Sequence, residues 1–345
     1  MTKLTKIKVS MGKVRIIDVA NHAGVSKSTI SQYLNGRYKH MAESTRERIK
    51  LAISELDYVP NPIARSLKTD KTKTIGVVVR DVAGFHSSQV IRGVDDYCKK
   101  HGYNVVIYNT DFAPESEAQS LKSLKEMCVD GIIIASSGKN PDLLDQYRQQ
   151  GFPLVEFQIE YQPSDKYVVV SDYEKAAFDA TEYLIELGHK NICLITQTFE
   201  GIQSRQERIQ GFQRALDKHA IKHDQSNILF WSRKDGFESS PSALLRSAQA
   251  PSAFFTQHLA ITTELLKDLE SNKVTVPNDV SLLGFDELPM AEFLKVPVTV
   301  IKQDPHRIGV ESAKTLMALI NNKKPRTKKI IVPCKLIARQ SCQTR

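Results

Sequence analysis

The run SKSTISQYLN, residues 26–35, sets one cation and a cluster of hydroxyl and amide side chains at helical spacing. On a helix over this run Lys27, Ser28 and Gln32 share an outward face, while Ile30 and Leu34 share the buried one. None of these groups is a nucleophile with a base beside it. Their chemistry is recognition: Ser28 and Gln32 exchange hydrogen bonds with base edges, and Lys27 reaches a guanine edge or a phosphate. Ser26, Thr29 and Asn35 complete the polar surface of the stretch. A second, scattered set follows short β-branched runs. Arg80, Phe85 and His86 come after VVV, Gln158 after PLVEF and Asp172 after VVVS; Trp231 ends ILFW, Asp286 follows LLGF and Gln303 follows TVIK. Arg205 and Arg208 open the pattern RQERIQGF. Guanidiniums, amides, carboxylates and an indole face suit the holding of a small polar molecule. Taken singly, each also fits a solvated loop residue or a structural ion pair.

Charge is unevenly placed. Residues 1–73 hold 15 Lys and Arg against 6 Asp and Glu, whereas the remainder holds 33 of each sign, so the whole net charge of +9 sits on the first fifth of the chain. A cationic module on a neutral body points to a polyanion met by the module alone. The module lacks the basic amphipathic helix with an aromatic face that a membrane surface would require. No apolar run approaches the ~20 residues that span a bilayer. The basic N-terminus has no apolar segment of the secretory kind, and Met11 is a second candidate for the first residue. Five scattered cysteines without a C-x-x-C pair give neither a disulfide framework nor a zinc site. These features predict a cytoplasmic protein with no metal and no cofactor.

The first set needs helices to position it. Ile17 to Ala23 reads as a short helix, with Ala20 small enough for a close neighbour. Gly24 suits the left-handed residue that ends a helix, and Val25 plugs the turn. Ser26 caps a second helix running through Leu34. Helix, tight glycine turn and capped helix make a helix-turn-helix, whose second helix offers its first turn to the major groove. An ordinary helical hairpin shares the pattern; the local charge favours the DNA-binding form. A third helix, ESTRERIKLAISELDY, spaces Ile49, Ala52, Ile53 and Leu56 for the core and leaves Arg46, Arg48 and Lys50 exposed. In VPNPIARSLKTDKTKT, Asn61 caps a helix from Pro62 to Lys68 that is too short to stand alone. On DNA, Leu67 would wedge between base pairs in the minor groove while Arg65 and Lys68 meet phosphates, with Ala64 on the same segment. A plain linker is the alternative.

From Thr74 onward, TIGVVV, YNVVIYN, GIIIAS, PLVEFQ, YVVVS, NICLIT, NILFW, SAFFT, VSLLGFD and VTVIKQD alternate with helical patterns. Such alternation builds right-handed βαβ units, and this many strands calls for two parallel sheets. Ligands bind at the carboxyl ends of such strands, where the second set falls.

IIDVANHAGVSKSTISQYLNG, LDYVPNPIARSLKT, LGHKNICLI, RQERIQGFQRAL, DVSLLGFDE and TVIKQD resemble characteristic segments of the lactose-repressor (LacI) family of transcription regulators, from about residue 14 to near the end. The resemblance implies an α/β protein with an N-terminal all-α helix-turn-helix headpiece, 14–58, behind a basic extension, 1–13. A hinge helix and linker, 59–73, would lead to a bilobal core, 74–345, like the periplasmic sugar-binding proteins. Its two parallel-sheet subdomains would cover about 74–171 with 304–332, and about 172–303 with 333–345. The resemblance also implies a homodimer on near-palindromic double-stranded operator DNA. A small effector would meet Arg208, Asp286 and Trp231, the indole stacking on it. Cleft closure that parts the paired hinges would release DNA; closure that joins them would strengthen binding. The expected function is repression of a carbohydrate or sugar-acid catabolic operon.

Three departures bear on specificity. Gln32 stands where many relatives carry Arg; Gln favours adenine where Arg favours guanine, so the half-site differs at one base. Gln158 replaces a frequent Asp, and the Thr256–Gln257–His258 region replaces a frequent Asn-Asp pair. Fewer acids, with Arg80 beside Arg208, predict an anionic effector such as ketodeoxygluconate, a uronate or a phosphorylated sugar. Other readings stay open: a catabolite regulator whose partner is a phosphorylated carrier protein, a sugar-binding receptor, or an enzyme. For the last, no GxxxxGK[ST], HExxH or GxSxG motif nominates a reacting group.

Overall fold

The computed structural model describes residues 14–59, 71–161, 166–198, 201–287 and 290–345. The chain forms two compact units, Met1–Thr72 and Lys73–Arg345. The first holds helices α1 (Ile16–Ala23), α2 (Lys27–Leu34) and α3 (Glu43–Glu55). Gly24 ends α1 at φ +61°, a conformation that costs glycine almost nothing. The Val25 amide then closes back on the Ala20 carbonyl at 3.0 Å. Ser26 Oγ accepts the Thr29 amide at 3.2 Å and so caps α2. Val19, Ala20, Ile30, Ile49 and Ala52 are fully buried between the three helices, with Val25, Leu34, Ile53 and Leu56 packed on them. The helices are too short to persist alone, so this shared core holds them in place.

The second unit contains, in chain order, β1 (Thr74–Val79), α4 (Phe85–Lys100), β2 (Asn104–Asn109), α5 (Pro114–Glu126), β3 (Gly131–Ile134), α6 (Pro141–Gln149), β4 (Leu154–Phe157) and β5 (Val168–Ser171). Then come α7 (Tyr173–Glu186), β6 (Ile192–Thr196), α8 (Gln203–Lys218), β7 (Ile228–Ser232), β8 (Gly236–Phe237), α9 (Pro241–Leu244), β9 (Ala253–Thr256) and α10 (Leu259–Ser271). Last are β10 (Ser281–Phe285), β11 (Thr299–Lys302), α11 (Pro305–Ile320), β12 (Lys329–Val332) and β13 (Lys335–Ile337). Two sheets result, ordered β12-β5-β4-β3-β1-β2 and β13-β11-β10-β9-β6-β7-β8. The first is wholly parallel; the second is parallel except at β11–β13 and β7–β8. Every β-branched run named above is a strand, which makes the core a two-lobed α/β structure. β8, β12 and β13 lie outside those runs.

The central strands are buried along their length, as expected of sheets covered by helices on both faces. At the back of the first lobe α4 and α11 cross at Gly93 and Gly309. A β-carbon at either position would collide with backbone, at the His306 or Val90 carbonyl. The chain passes between lobes after Ser171, after Lys302 and after Val332. Among the described residues, no helix is long and apolar enough to cross a membrane.

Candidate functional site

On the headpiece, Lys27, Ser28 and Gln32 are exposed on α2, opposite the buried Ile30. Ser26 Oγ lies 2.7 Å from Ser28 Oγ and 2.8 Å from Thr29 Oγ1, so the cap also orients the hydroxyls of the first turn. Asn35 is exposed, but its Nδ2 donates to the Ser31 carbonyl at 2.7 Å, turning the amide back onto its own helix. Arg46, expected to be free in solvent, is instead half-buried. It pairs with Glu43 at 3.1 Å, donates to the Met41 carbonyl and lies over the Tyr38 ring. Arg37 and Lys39, which sequence reasoning passed over, are exposed just after α2. The expected hinge contacts Asn61, Ala64, Arg65, Leu67 and Lys68 lie outside the described residues.

In the core, the carboxyl ends of the strands converge where the lobes meet. Tyr161 bridges to Ile202, and the Gln203 amide donates to the Glu160 carbonyl at 2.9 Å. Lys329 of β12 reaches both Glu160, at 2.6 Å, and Glu207 of α8, at 3.2 Å. These contacts fix the first turns of α8, and with them Arg205 and Arg208. The Arg208 guanidinium sits 4.4 Å from the centroids of both Tyr173 and Phe285 and donates to the Gln257 carbonyl at 3.0 Å. Arg205 donates to the Thr198 carbonyl and to Gln197 Oε1. Gln257 Oε1 accepts from Thr196 Oγ1 at 2.7 Å. Where the chain crosses between lobes, Ser171 Oγ donates to Gln303 Oε1 at 2.5 Å, and Gln303 Nε2 donates to Asp286. Asp286 and Gln158 both hold left-handed backbone, at φ +79° and +68°. Such strain in non-glycine residues clusters at binding sites. Tyr173 Oη locks Gln158 by donating to its carbonyl at 2.8 Å.

Among the described residues, several polar atoms at this junction are shielded from water and find no partner: Nε of Arg80, Nε of Arg208, Nε2 of Gln257 and both ring nitrogens of His86. Buried polar groups are normally satisfied, so a cluster of unsatisfied ones marks a place where a ligand completes the bonding. Among the described residues, Arg80, Arg205, Arg208 and Arg233 have no carboxylate within ion-pairing distance. Asp81, the neighbour that could have paired with Arg80, instead accepts the Ala83 amide at 3.1 Å. Burial lowers the Arg80 guanidinium pKa, and Arg233 pushes the same way against Tyr161, Tyr173 and Glu117. Burial, then Arg208 and Arg80, bring Arg205 down to about 10. Burial also depresses His86, against the pull of Asp286. His258, which caps α10 by accepting the Ala260 amide at 3.1 Å, is pushed down to about 4, chiefly by burial and further by Arg208, Arg233 and Arg80. Desolvated cations without counterions bind anions strongly.

Three expected contacts, Trp231, Asp172 and Phe85, sit differently. The Trp231 ring, expected to stack on a ligand, is 6% exposed and belongs to the core of the second lobe with Ile195, Leu229, Ile261 and Leu265. Its strand alternates, and Trp231 falls on the same inward face as Leu229. The aromatic faces that meet the cleft's guanidiniums are Tyr173, Phe285 and Phe112, none of which sequence reasoning selected. Asp172 caps α7 through a long 3.4 Å bond to the Lys175 amide, and Phe85 is exposed at the start of α4. Arg233 was also missed; nothing in SRKDG separates it from a solvated turn. An open groove of about 900 Å³ lies elsewhere, against Lys190, Lys222 and Gln249. Among the described residues, none of its lining side chains has a buried polar atom without a partner.

Comparison with known proteins adds a second line. Residues 15–61 match the model of the bacterial regulatory proteins of the lacI family, and residues 181–342 match that of the periplasmic binding protein-like domain. Over 308 residues the chain is 34% identical to a probable HTH-type transcriptional regulator, EndR, of Paenibacillus polymyxa, covering 89% of this chain and 90% of that one. It is 32% identical over 316 residues to the HTH-type transcriptional repressor PurR of Vibrio parahaemolyticus, covering 89% and 92%. Its fold matches the lac repressor dimer bound to operator and an anti-inducer with a TM-score of 0.82. That match has 23% identity and covers 96% of this chain and all of that one.

Proposed function

Because the chain belongs to the lacI family of bacterial regulatory proteins, and is thus a DNA-binding transcriptional repressor, we propose that a sugar acid or phosphorylated sugar held between its two lobes controls its grip on an operator. The observation that carries this is the set of cleft guanidiniums without carboxylate partners, beside orphaned polar atoms on both lobes. A neutral sugar would leave the buried members of this set, Arg80 and Arg205 among them, uncompensated, which is costly.

On this reading two copies pair on a near-palindromic duplex, each α2 offering Lys27, Ser28 and Gln32 to the major groove, with Ser26 and Thr29 at the helix start. Leu67, between Arg65 and Lys68, acts in the minor groove. In the core, Arg205 and Arg208 hold the anionic group; Asp286, Gln303 and Gln257 bind hydroxyls, and His86 and Arg80 close from the other lobe. A ligand changes DNA affinity only through unequal affinity for two lobe arrangements. Repression of a carbohydrate or sugar-acid operon, relieved by its substrate, is the economical outcome. Selection of bound sites from a random duplex pool, repeated with gluconate-type acids and with neutral sugars, tests it. An enriched palindrome that is released by acids supports the reading. Release by neutral sugars alone overturns it.

A further inference from the structure

The cleft's cations are divided between lobes in a way that a single anionic group does not use up. Arg205 and Arg208 lie together on α8 in the second lobe, against Tyr173 and Phe285. Arg80 follows β1 in the first lobe, and Arg233 follows β7 in the second. Both Arg80 and Arg233 approach one ring, that of Phe112 after β2, with guanidinium carbons 5.4 and 5.2 Å from its centroid. Two like charges from opposite lobes therefore face one aromatic residue at the rim, where Phe112 is 46% exposed. The nearby carboxylates are already engaged. Glu117 accepts from the Ser137 amide, from Asn140 Nδ2 at 3.0 Å and from Ser136 Oγ at 3.5 Å, and Asp286 accepts from Gln303. Among the described residues, none of the four guanidiniums has a carboxylate at ion-pairing distance, so the second pair of cations stays uncompensated.

Resting on the sugar-acid reading above, we propose that the effector carries two separate anionic groups, one on Arg205 and Arg208 and the other between Arg80 and Arg233 at Phe112. The second group acts across the lobes. Without it, closure brings Arg80 towards Arg233 and the α8 arginines at a Coulombic cost. With it, repulsion becomes a shared attraction, so the ligand's second charge favours the closed arrangement over the open one. A monoanion occupies the α8 site but leaves the rim pair repelling. Phe112 meanwhile presents its face to both cations.

Gluconate, glucarate and 6-phosphogluconate share one six-carbon chain and differ at its far end, so they test this directly. Calorimetry on the full chain, with glucose as the neutral control, should find glucarate or 6-phosphogluconate bound about 10-fold more tightly than gluconate, since one cation of the second pair is buried and the other exposed. Arg233→Gln changes an exposed turn residue and leaves the fold intact, which circular dichroism checks. It should remove most of that advantage while changing gluconate affinity by less than about 3-fold. Arg80→Gln should also remove most of that advantage from the other lobe, together with a loss of gluconate affinity, because Arg80 closes on the ligand in either case. Equal affinity for gluconate and both dianions, or equal weakening of all three by Arg233→Gln, overturns the two-group inference and leaves the sugar-acid reading standing. Glucose binding as tightly as the acids, or no binding by any of the four, overturns both.

Discussion

Lys27 on the headpiece and Arg208 in the core carry the same charge in opposite surroundings. Lys27 stands in solvent on the first turn of a helix, with no described residue holding its ammonium. Arg208 is wedged between two aromatic rings, with one donor bonded to a carbonyl and its Nε shielded and unpartnered. The difference separates two kinds of anion recognition. A solvated cation meets a polyanion through the counterions it displaces, and it is sensitive to salt and forgiving of position. A desolvated, oriented guanidinium meets a small anion through directed hydrogen bonds. It is less sensitive to salt and strict about geometry.

Salt gives the largest effect. Between 50 and 200 mM monovalent salt, affinity for the selected duplex should fall by about 10³-fold, while affinity for the sugar acid changes by less than about 10-fold. Fluorescence anisotropy on DNA and calorimetry on the acid compare the two slopes, and similar slopes would break the contrast. Next in size is Arg208→Ala. Removing one partner of a desolvated charge contact costs about 2–5 kcal/mol, so sugar-acid affinity should drop by at least about 30-fold. Operator affinity without effector should stay within about 2-fold, because the headpiece core is self-contained. Arg208→Lys restores charge without the planar stack and should recover only part of the loss. Operator affinity falling as steeply as effector affinity would show that Arg208 supports the fold rather than the ligand.

The same contrast explains what could be read in advance. The determinants of the headpiece are local: Gly24 closes α1, Ser26 caps α2 three residues before its bonded amide, and Ile30 sits one turn from Leu34. A window of eleven residues, 24–34, contains them all. The cleft is assembled from positions far apart, such as Ser171 with Gln303 and Arg208 with Gln257. Strand ends pointed to the junction where these side chains gather, because all of them lie at or after carboxyl ends of parallel strands. They could not tell which side chains turn inward there, and Trp231 illustrates the cost: strand period 2 places it with Leu229, in the core. Phe112 and Arg233 sit in loops whose sequences look solvated. β12 and β13 escaped for another reason. They have four and three residues, with Pro333 between them. They become strands only because β5 and β11 offer them open edges to pair with.

Gln32→Arg sharpens the headpiece side. A bidentate pairing discriminates by about 1–3 kcal/mol per base, so selection from a random pool should move one position of each half-site from adenine towards guanine, leaving the others alone. The variant's unchanged response to effector would mark the two regions as separable. A shift spread over many positions would mean that α2 had changed its docking rather than its contact.

The smallest effect concerns pH and bears on the cleft. In the unliganded protein His258 is neutral, held at about 4 first by burial and then by Arg208, Arg233 and Arg80. Its Nδ1 accepts the Ala260 amide, so the neutral ring carries its proton on Nε2. An anion in the cleft offsets the arginines and raises this pKa, so the complex binds protons more readily than the free protein. By linkage, affinity then rises as pH falls. If the ligand returns the ring to its ordinary value near 6.5, the gain from pH 7.5 to 5.5 is about 10-fold at most. Glucarate, whose carboxylates stay ionised over that range, is the suitable probe. Stability of the unliganded protein runs the other way. Its folded-state pKa lies below the unfolded one, so stability is lost as pH drops below about 6.5 towards 4. Melting temperature and glucarate affinity should therefore move in opposite directions across one window. His258→Asn keeps a capping acceptor and should flatten the affinity profile. A profile left unchanged in that variant would assign the proton to His86, which is also depressed and also faces Arg80 and Arg208.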